Sequence, residues 1–401
     1  MNLAPGARTA RSALFRAGIT ALLLAAWTIE AFVSRVDSAG NSQRWVLSPP
    51  EGAVSTNVFN PRTKAIRYFL GSEGFSRTNT VAELNAVRAC FDQWQSVPGT
   101  NLKFEEGGTV DLEADVNTSD QTNVLFWAKS STLVNGGRDS IWGTLAVTFP
   151  RFTANNVLLE ADIVLNGVQF AWFTDFQATT NAGQFVEATV LHEIGHFIGL
   201  DHSPVGGATL FARGADGLSP QAGLSSDEAI AVRTLYPASP SVAARGQLQG
   251  RVTAEGSAVF GASVVAEDAA GNIASGTMTD ANGFFQLPGL EPGAYRVRAA
   301  PLDPPSMNSL ERLMTGGDIA PAFSGAHTTF SPTTNHPVML VGGQTNSLDL
   351  PVIRREPAFR ITRIRPPARE LDPLVAINAP ATIALGRTNW VVGVFSPNLP
   401  T

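Results

Sequence analysis

The residues best suited to chemistry lie in one stretch, His192-Glu193-Ile194-Gly195-His196-Phe197-Ile198-Gly199-Leu200-Asp201-His202-Ser203. The chain has five histidines, and three of them fall here; the others are His327 and His336. Two histidines four apart on a helix stand one turn above each other on one face, so their ring nitrogens can converge on one cation. Neutral imidazole suits zinc, at bond lengths of about 2.0–2.1 Å. Gly199 can adopt a positive φ, end the helix and turn the chain, which allows His202 to swing back as a third ligand. Three protein ligands leave a fourth position open for water, as in a catalytic rather than a structural zinc. Glu193 follows the first ligand and can reach that water without being a ligand itself. A water polarised by zinc gives up its proton near neutral pH, and Glu193 can accept it and return it to a leaving amine. The chemistry open to this set is hydrolysis of a peptide bond with no acyl-enzyme. A bare His-Glu-x-x-His pattern arises by chance; Gly199 and His202 at these offsets, on a plausible helix, restrict it far more.

The elements that must position these residues follow from periodicity. Val186–Ile198 reads as the helix carrying the first two histidines, with Val190, Ile194, Phe197 and Ile198 toward a core. Before it, Ala65–Leu70 reads as a first strand. Thr80–Val97 reads as a helix capped by Thr80, with Val81, Leu84, Val87, Phe91 and Trp94 on its apolar stripe, stopped by Pro98-Gly99. Cys90, beside that stripe, reads as a buried free thiol. Short strands are predicted at Leu102–Glu105, Asn123–Ala128, Thr144–Phe149 and Leu158–Asn166. A third helix is expected at Ser226–Leu235, capped by Ser225 or Ser226. Pro237-Ala-Ser-Pro240 marks a composition shift, with a linker over 238–245. Beyond it the pattern is β: Gln247–Thr253, Ala262–Asp268, Gly283–Leu287, Tyr295–Ala300, Val338–Val341 and Ser347–Ile353. Residues 301–337 form an insertion within this second unit of 246–353, and 354–401 a short C-terminal β segment.

The bulk properties bound the function. With 401 residues, 44% of them hydrophobic and 15% charged, the chain can build more than one core. A net charge of −6 with no Lys/Arg block argues against a nucleic-acid partner. One cysteine excludes an internal disulfide framework and any Cys-rich metal site. At the N-terminus Arg8, Arg11 and Arg16 precede an apolar run at 17–27, with small residues Ala31, Ser38 and Ala39 as candidate cleavage points; residues 1–39 read as an export signal, the alternative being an uncleaved anchor. No other segment could span a membrane.

At His192–Ser203 the chain resembles the metzincin metallopeptidases, and among them the matrixin branch, whose long zinc motif and Asp-His-Ser ending it shares. Gly143–Phe149 resembles the family's substrate-binding edge strand, Glu160–Asn166 the strand after it, and Leu224–Tyr236 the C-terminal helix and its entry. The resemblance spans about residues 42–237, within a catalytic domain read as 40–237. It implies an α+β fold, a twisted five-stranded sheet with three helices, and a cleft over the zinc. An extended protein or peptide substrate would pair with the edge strand, making Leu145 and Ala146 candidates for backbone contacts. Metzincins place a methionine beneath the zinc; the matching residue here is Leu210, which can supply an apolar floor. The animal matrixins' cysteine switch has no counterpart, and no histidines lie where their structural zinc binds. Calcium is a candidate second cation, with Asp111, Asp115, Asp120 and Asp162 as hard oxygen donors. Asp201 and Ser203 flank the third ligand and could orient it or stabilise its turn.

Residues 246–300 resemble the carboxypeptidase regulatory-like (transthyretin-like) β-sandwich, through Gly250–Val252, Gly261–Val264, Thr279–Phe284 and Leu290–Tyr295. This implies an all-β accessory domain without catalytic residues. Residues 374–398 weakly resemble the opening of an Ig-like module, too short to complete one. The expectation is therefore a secreted or cell-envelope, monomeric zinc endopeptidase. The alternative is a zinc-binding but inactive surface or adhesion protein, for which Leu210 is the only support and against which Glu193 stands.

Overall fold

The structure, a computed structural model, describes residues 33–36, 41–111, 114–175, 183–212, 222–238, 244–302, 316–324, 326 and 330–354, with the backbone of 376–377 and 393–394. Residues 1–32 and 37–39 of the leader, most of the C-terminal segment, His327 and residues 239–243 of the linker lie outside the described residues.

An α+β unit comes first. Strands β1 (Ala65–Gly71), β2 (Phe104–Val110), β3 (Val124–Ala128), β4 (Ala146–Phe152) and β5 (Leu158–Asn166) form a sheet in the order β2-β1-β3-β5-β4, which the two-residue strand Phe59–Asn60 extends beside β1. Among the five strands the pairings are parallel except for β4, which runs antiparallel to β5 and forms one edge; the short Phe59–Asn60 strand is antiparallel to β1. Helices α1 (Thr80–Gln95), α2 (Val186–Phe197) and α3 (Ser226–Leu235) complete it. Parallel strands require crossovers, and α1 supplies the one from β1 to β2.

α1 begins with the predicted residue but not with the predicted cap. Thr80 spends its hydroxyl on the Ser76 carbonyl, and Glu83 instead accepts from the Ser76 amide. Val81, assigned to the apolar stripe, is exposed, because the face that meets the sheet and α2 runs through Leu84, Val87, Phe91 and Trp94. Cys90 is fully buried and free. For α3, Ser225 and Glu228 make a reciprocal capping box.

The second unit is a two-sheet β sandwich. One sheet centres on β6 (Gly246–Ala254), paired with β9 (Phe284–Leu290) and with β12 (Thr345–Ser347) and β13 (Leu350–Val352); the other runs β8-β7-β10-β11, from β8 (Ile273–Met278), β7 (Ser263–Glu267), β10 (Gly293–Ala300) and β11 (His336–Leu340). β8 has no counterpart in the sequence expectation: after Ile273 its Ala-Ser-Gly-Thr stretch offers no run of branched apolar residues to signal a strand. The described part of the 301–337 insertion holds a short helix, α4 (Gly316–Ile319), and a single turn at Pro321–Phe323.

The two units share one apolar cluster, reaching from Trp94 and Phe197 through Ile230 and Leu235 to Leu248, Phe285 and Leu290. Their contact is also polar. The buried Asp227 of α3 accepts from the Ser203 hydroxyl (2.7 Å), the Ser275 hydroxyl (2.8 Å) and the Gly276 amide (2.9 Å), the last two on β8. A carboxyl out of water requires such donors, and three of them join α3, the loop after His202 and the sandwich.

Two buried carboxylates lie on β5. Asp162 accepts from the Val124 and Asn117 amides, yet its carboxyl is pushed up to about 7, chiefly by desolvation. Glu160 is fully buried with Asp120 beside it, and burial followed by that neighbour raises its carboxyl. A carboxyl raised in the folded state destabilises the fold as pH climbs from its ordinary range through the raised one. Glu160→Gln is therefore expected to raise Tm by about 2–4 °C near pH 8 and to give no gain near pH 5. A thermal melt showing a loss at the higher pH would contradict this reading.

Candidate active site

α2 is buried along most of its length, so its ends need internal partners for the backbone groups it leaves unpaired. The indole of Trp45 donates to the Phe197 carbonyl (2.8 Å) and the Tyr236 hydroxyl to the Ile198 carbonyl (2.6 Å). Gly199 then reverses the chain at φ +96°, and a Cβ there would collide with the Gln43 carbonyl. This bend returns His202 toward the helix. The ring centroids of His192, His196 and His202 lie 4.8–5.1 Å apart, and Nε2 of His192 and His196 are 3.1 Å apart.

Each ring is held from behind. Nδ1 of His192 donates to the Thr209 carbonyl (2.9 Å), Nδ1 of His196 to the Leu200 carbonyl (2.8 Å) and Nδ1 of His202 to the Asp318 carbonyl (2.6 Å). A carbonyl can only accept, so each Nδ1 carries the proton and each Nε2 presents a lone pair. Burial lowers the basicity of all three; His192 falls to about 3, by desolvation first and the neighbouring His202 second. Neutral rings with lone pairs converging on one point are the donor set zinc prefers, so the residues present fit that metal. Among the described residues this triad is the one group of three or more His, Cys, Asp or Glu side chains that could hold a metal ion.

Among the described residues the calcium candidates form no comparable group of three ligands. Asp162 spends both oxygens on backbone amides, and Asp115 accepts from the Val116, Asn135 and Gly136 amides, so these two carboxylates tie loops.

Glu193 is 5% exposed and faces the cleft. Desolvation raises its carboxyl, and the Thr148 hydroxyl on β4 donates to its Oε2 at 2.6 Å. Thr148 gave no sign in the sequence, because one threonine in a strand is an ordinary β residue. The cleft, about 470 Å³, runs along β4 past Leu145, Ala146 and Thr148 to His192, Glu193 and His202, with Arg35 at its side. Ala146 faces Leu165 in a pair without mutual hydrogen bonds, since the Asn166 amide donates to the Leu145 carbonyl. The amide and carbonyl of Ala146 therefore point off the sheet edge, while the Leu145 carbonyl is taken.

Leu210 is 3% exposed and lies against Gly195, between the two helical histidines. Its amide donates to Glu228 and its carbonyl accepts from Ser203, so its loop is fixed from both sides. Of the flanking pair, Asp201 meets the Arg35 guanidinium (3.4 Å), and Ser203 bonds Asp227. Arg35 was invisible as a site residue, being 157 positions before His192. Residues 213–221 lie outside the described residues.

Comparison with known proteins agrees with this geometry. Residues 61–237 match the Matrixin family, and residues 247–303 match the carboxypeptidase regulatory-like domain. The chain thus carries a matrixin domain followed by a carboxypeptidase regulatory-like domain, and the matrixin match points to a zinc metallopeptidase. No curated protein matches the chain. Solved structures that overlap it include the TIE protein of Bacillus anthracis (15% identity, 28% of this chain and 17% of that one, TM-score 0.19). Others are the minor pilin of Streptococcus agalactiae (12% identity, 32% and 50%, TM-score 0.19) and the major pilin subunit of Bacillus cereus (16% identity, 28% and 30%, TM-score 0.19). The chain spans half or less of each of these structures.

A methyl group on Gly195 would stand 2.6 Å from Leu210 Cδ2. Gly195→Ala is expected to cost about 1–3 kcal/mol by overpacking, and Leu210→Ala about 2–5 kcal/mol by leaving a cavity. The double variant should lose less than the sum, because each change relieves the other. Additive losses on chemical denaturation would mean that the two residues do not share this space.

Proposed function

We propose that this chain is a zinc-dependent endopeptidase centred on His192, His196 and His202. One juxtaposition supports the reading: three imidazole lone pairs turned to a common point, with the Glu193 carboxylate beside them in an open cleft. Zinc, when held by the three rings, supplies Lewis acidity to a water and to the substrate carbonyl. Glu193 acts as general base toward that water and then as general acid toward the leaving amine. The Thr148 hydroxyl keeps the carboxylate aimed during both transfers. An extended peptide lies along β4 and pairs with the outward amide and carbonyl of Ala146, which gives main-chain recognition of unfolded segments. Leu210 supplies the apolar floor in place of methionine.

The deciding experiment compares the full-length chain with Glu193→Ala. Both should bind about one zinc, and only the unmodified chain should cleave an unstructured protein. Zinc without cleavage in either protein would replace this reading with that of an inactive binding protein.

The reading includes export by the N-terminal leader to the cell envelope or beyond. Residues 33–36, which the sequence placed inside that leader, support a shorter one. Val33 and Ser34 are each 5% exposed, Ser34 bridges Leu200, and the Asp201 amide donates to the Val33 carbonyl. Cleavage after Ala31 keeps this strap, whereas cleavage at Ser38 or Ala39 removes it. Mass spectrometry of the exported protein should find an N-terminus at or before Val33; one near residue 40 would overturn this assignment. Among the described residues no helix is long and apolar enough to cross a membrane.

A further inference from the structure

The three rings differ in where their supporting carbonyls come from. Thr209 and Leu200 lie in the matrixin domain, within 17 residues of the histidines they hold. Asp318 lies 116 residues from His202, in the insertion of the β sandwich. The same turn is bonded twice, because the His202 amide also donates to the Ile319 carbonyl (3.1 Å). From the other side the strap holds the loop through Arg35 N–H to the Gly199 carbonyl (2.9 Å) and Asp201 N–H to the Val33 carbonyl (2.7 Å). The third-ligand loop is thus gripped between two segments that both lie outside residues 61–237.

What anchors the turn is apolar. Ile319 is 1% exposed and packs in a separate small core with Val33, Met278, Leu302, Phe323 and Ala326. Met278 ends β8 and Leu302 follows β10, so the turn is rooted in the sandwich. Val33 in the same core ties the strap to the turn.

We propose that the β-sandwich insertion is a working part of the metal centre, with the Asp318–Ile319 turn as the positioning element for His202. This rests on the triad being a zinc site. The imidazole of His202 follows a glycine bend and has no helix to limit its rotation. A carbonyl on Nδ1 selects the tautomer with its lone pair on Nε2 and sets the ring plane. Without that carbonyl two rings stay preset and the third must be ordered by the metal, which lowers affinity. The matrixin domain alone is therefore an incomplete zinc site, and the accessory domain, which has no catalytic side chain, still controls metal retention.

The test measures zinc affinity of the full-length chain by competition with a chromophoric chelator, together with the visible absorption of its cobalt(II) form. Ile319→Asp places a carboxylate in the small core and should release the turn. Affinity should fall about 10–100-fold, the range for loss of a group that orients a ligand, and the cobalt band should weaken and shift. Ile319→Val should restore both. Leu340→Ala, in β11 of the same domain and in the main apolar cluster, should lower Tm and leave affinity and band unchanged. If Ile319→Asp does not fold, Ile319→Ala reads the same two quantities with a smaller change. Folded Ile319 variants with parental affinity and spectrum would overturn the proposal and leave the zinc reading intact, as would an equal loss in Leu340→Ala. An unmodified chain that binds no zinc would instead overturn the zinc reading, and this inference with it.

Discussion

The centre depends on three N–H···O=C bonds behind the imidazoles. A histidine ring left to itself can protonate either nitrogen and turn about two bonds, and only one of those states offers a lone pair to the common point. The carbonyls of Thr209, Leu200 and Asp318 remove that freedom before any metal arrives. The surroundings can be understood as means of bringing these three carbonyls, from distant parts of the chain, to the right places. Thr209 is itself held, its hydroxyl donating to the Gly223 carbonyl. The Leu200 carbonyl is aimed by the Gly199 bend, which requires glycine twice over: φ is +96°, and Gln43 passes so close that a Cβ would not fit.

Packing supplies the rigidity these bonds need. α2 lies against α1 through aromatic contacts, with Phe91 and Phe197 edge to face at 6.0 Å and Trp45 tilted on Phe197 at 5.5 Å. The indole of Trp94 donates to the Leu191 carbonyl, one residue before the first ligand. Tyr236 closes the matrixin domain by bonding both the Trp45 amide and the Ile198 carbonyl. Aromatic residues are apt here because each buries a large surface and still satisfies a backbone group at its polar edge. The interface with the sandwich repeats the principle with a carboxyl: the buried Asp227 accepts from Ser203, Ser275 and Gly276.

How much of this was legible in the sequence differs by element. β5 and α3 match their expected bounds, since the apolar runs Leu158-Leu159 and Ile163-Val164-Leu165 mark a buried strand and Ser225-x-x-Glu228 is a complete start signal. The stripe of α1 was readable at Leu84, Val87, Phe91 and Trp94 but not at Val81, because periodicity gives the spacing of a face and not where the neighbouring sheet ends. β8 was missed for its small residues, whose use became visible in three dimensions: Ser275 and Gly276 meet Asp227, and a side chain at Gly276 would strike Val205. The 301–337 insertion read as a loop, and its short helix carries no periodicity to find.

What the sequence determined by itself was the local chemistry. Residue types and offsets over His192–His202 dictate that two rings share a helix face, that a carboxylate follows the first, and that a glycine can turn the third toward them. These are consequences of helix geometry and backbone freedom acting over a dozen residues. The tertiary structure decided which tautomer each ring adopts, which hydroxyl orients Glu193, and which segments enclose His202. Those outcomes depend on Thr148, Arg35 and Asp318, which lie 45, 166 and 116 residues from Glu193, Asp201 and His202, the residues beside which they end up. A hydrogen bond acts over about 3 Å of space whatever the separation in sequence, so such partners are settled by the fold and leave no trace in local spacing.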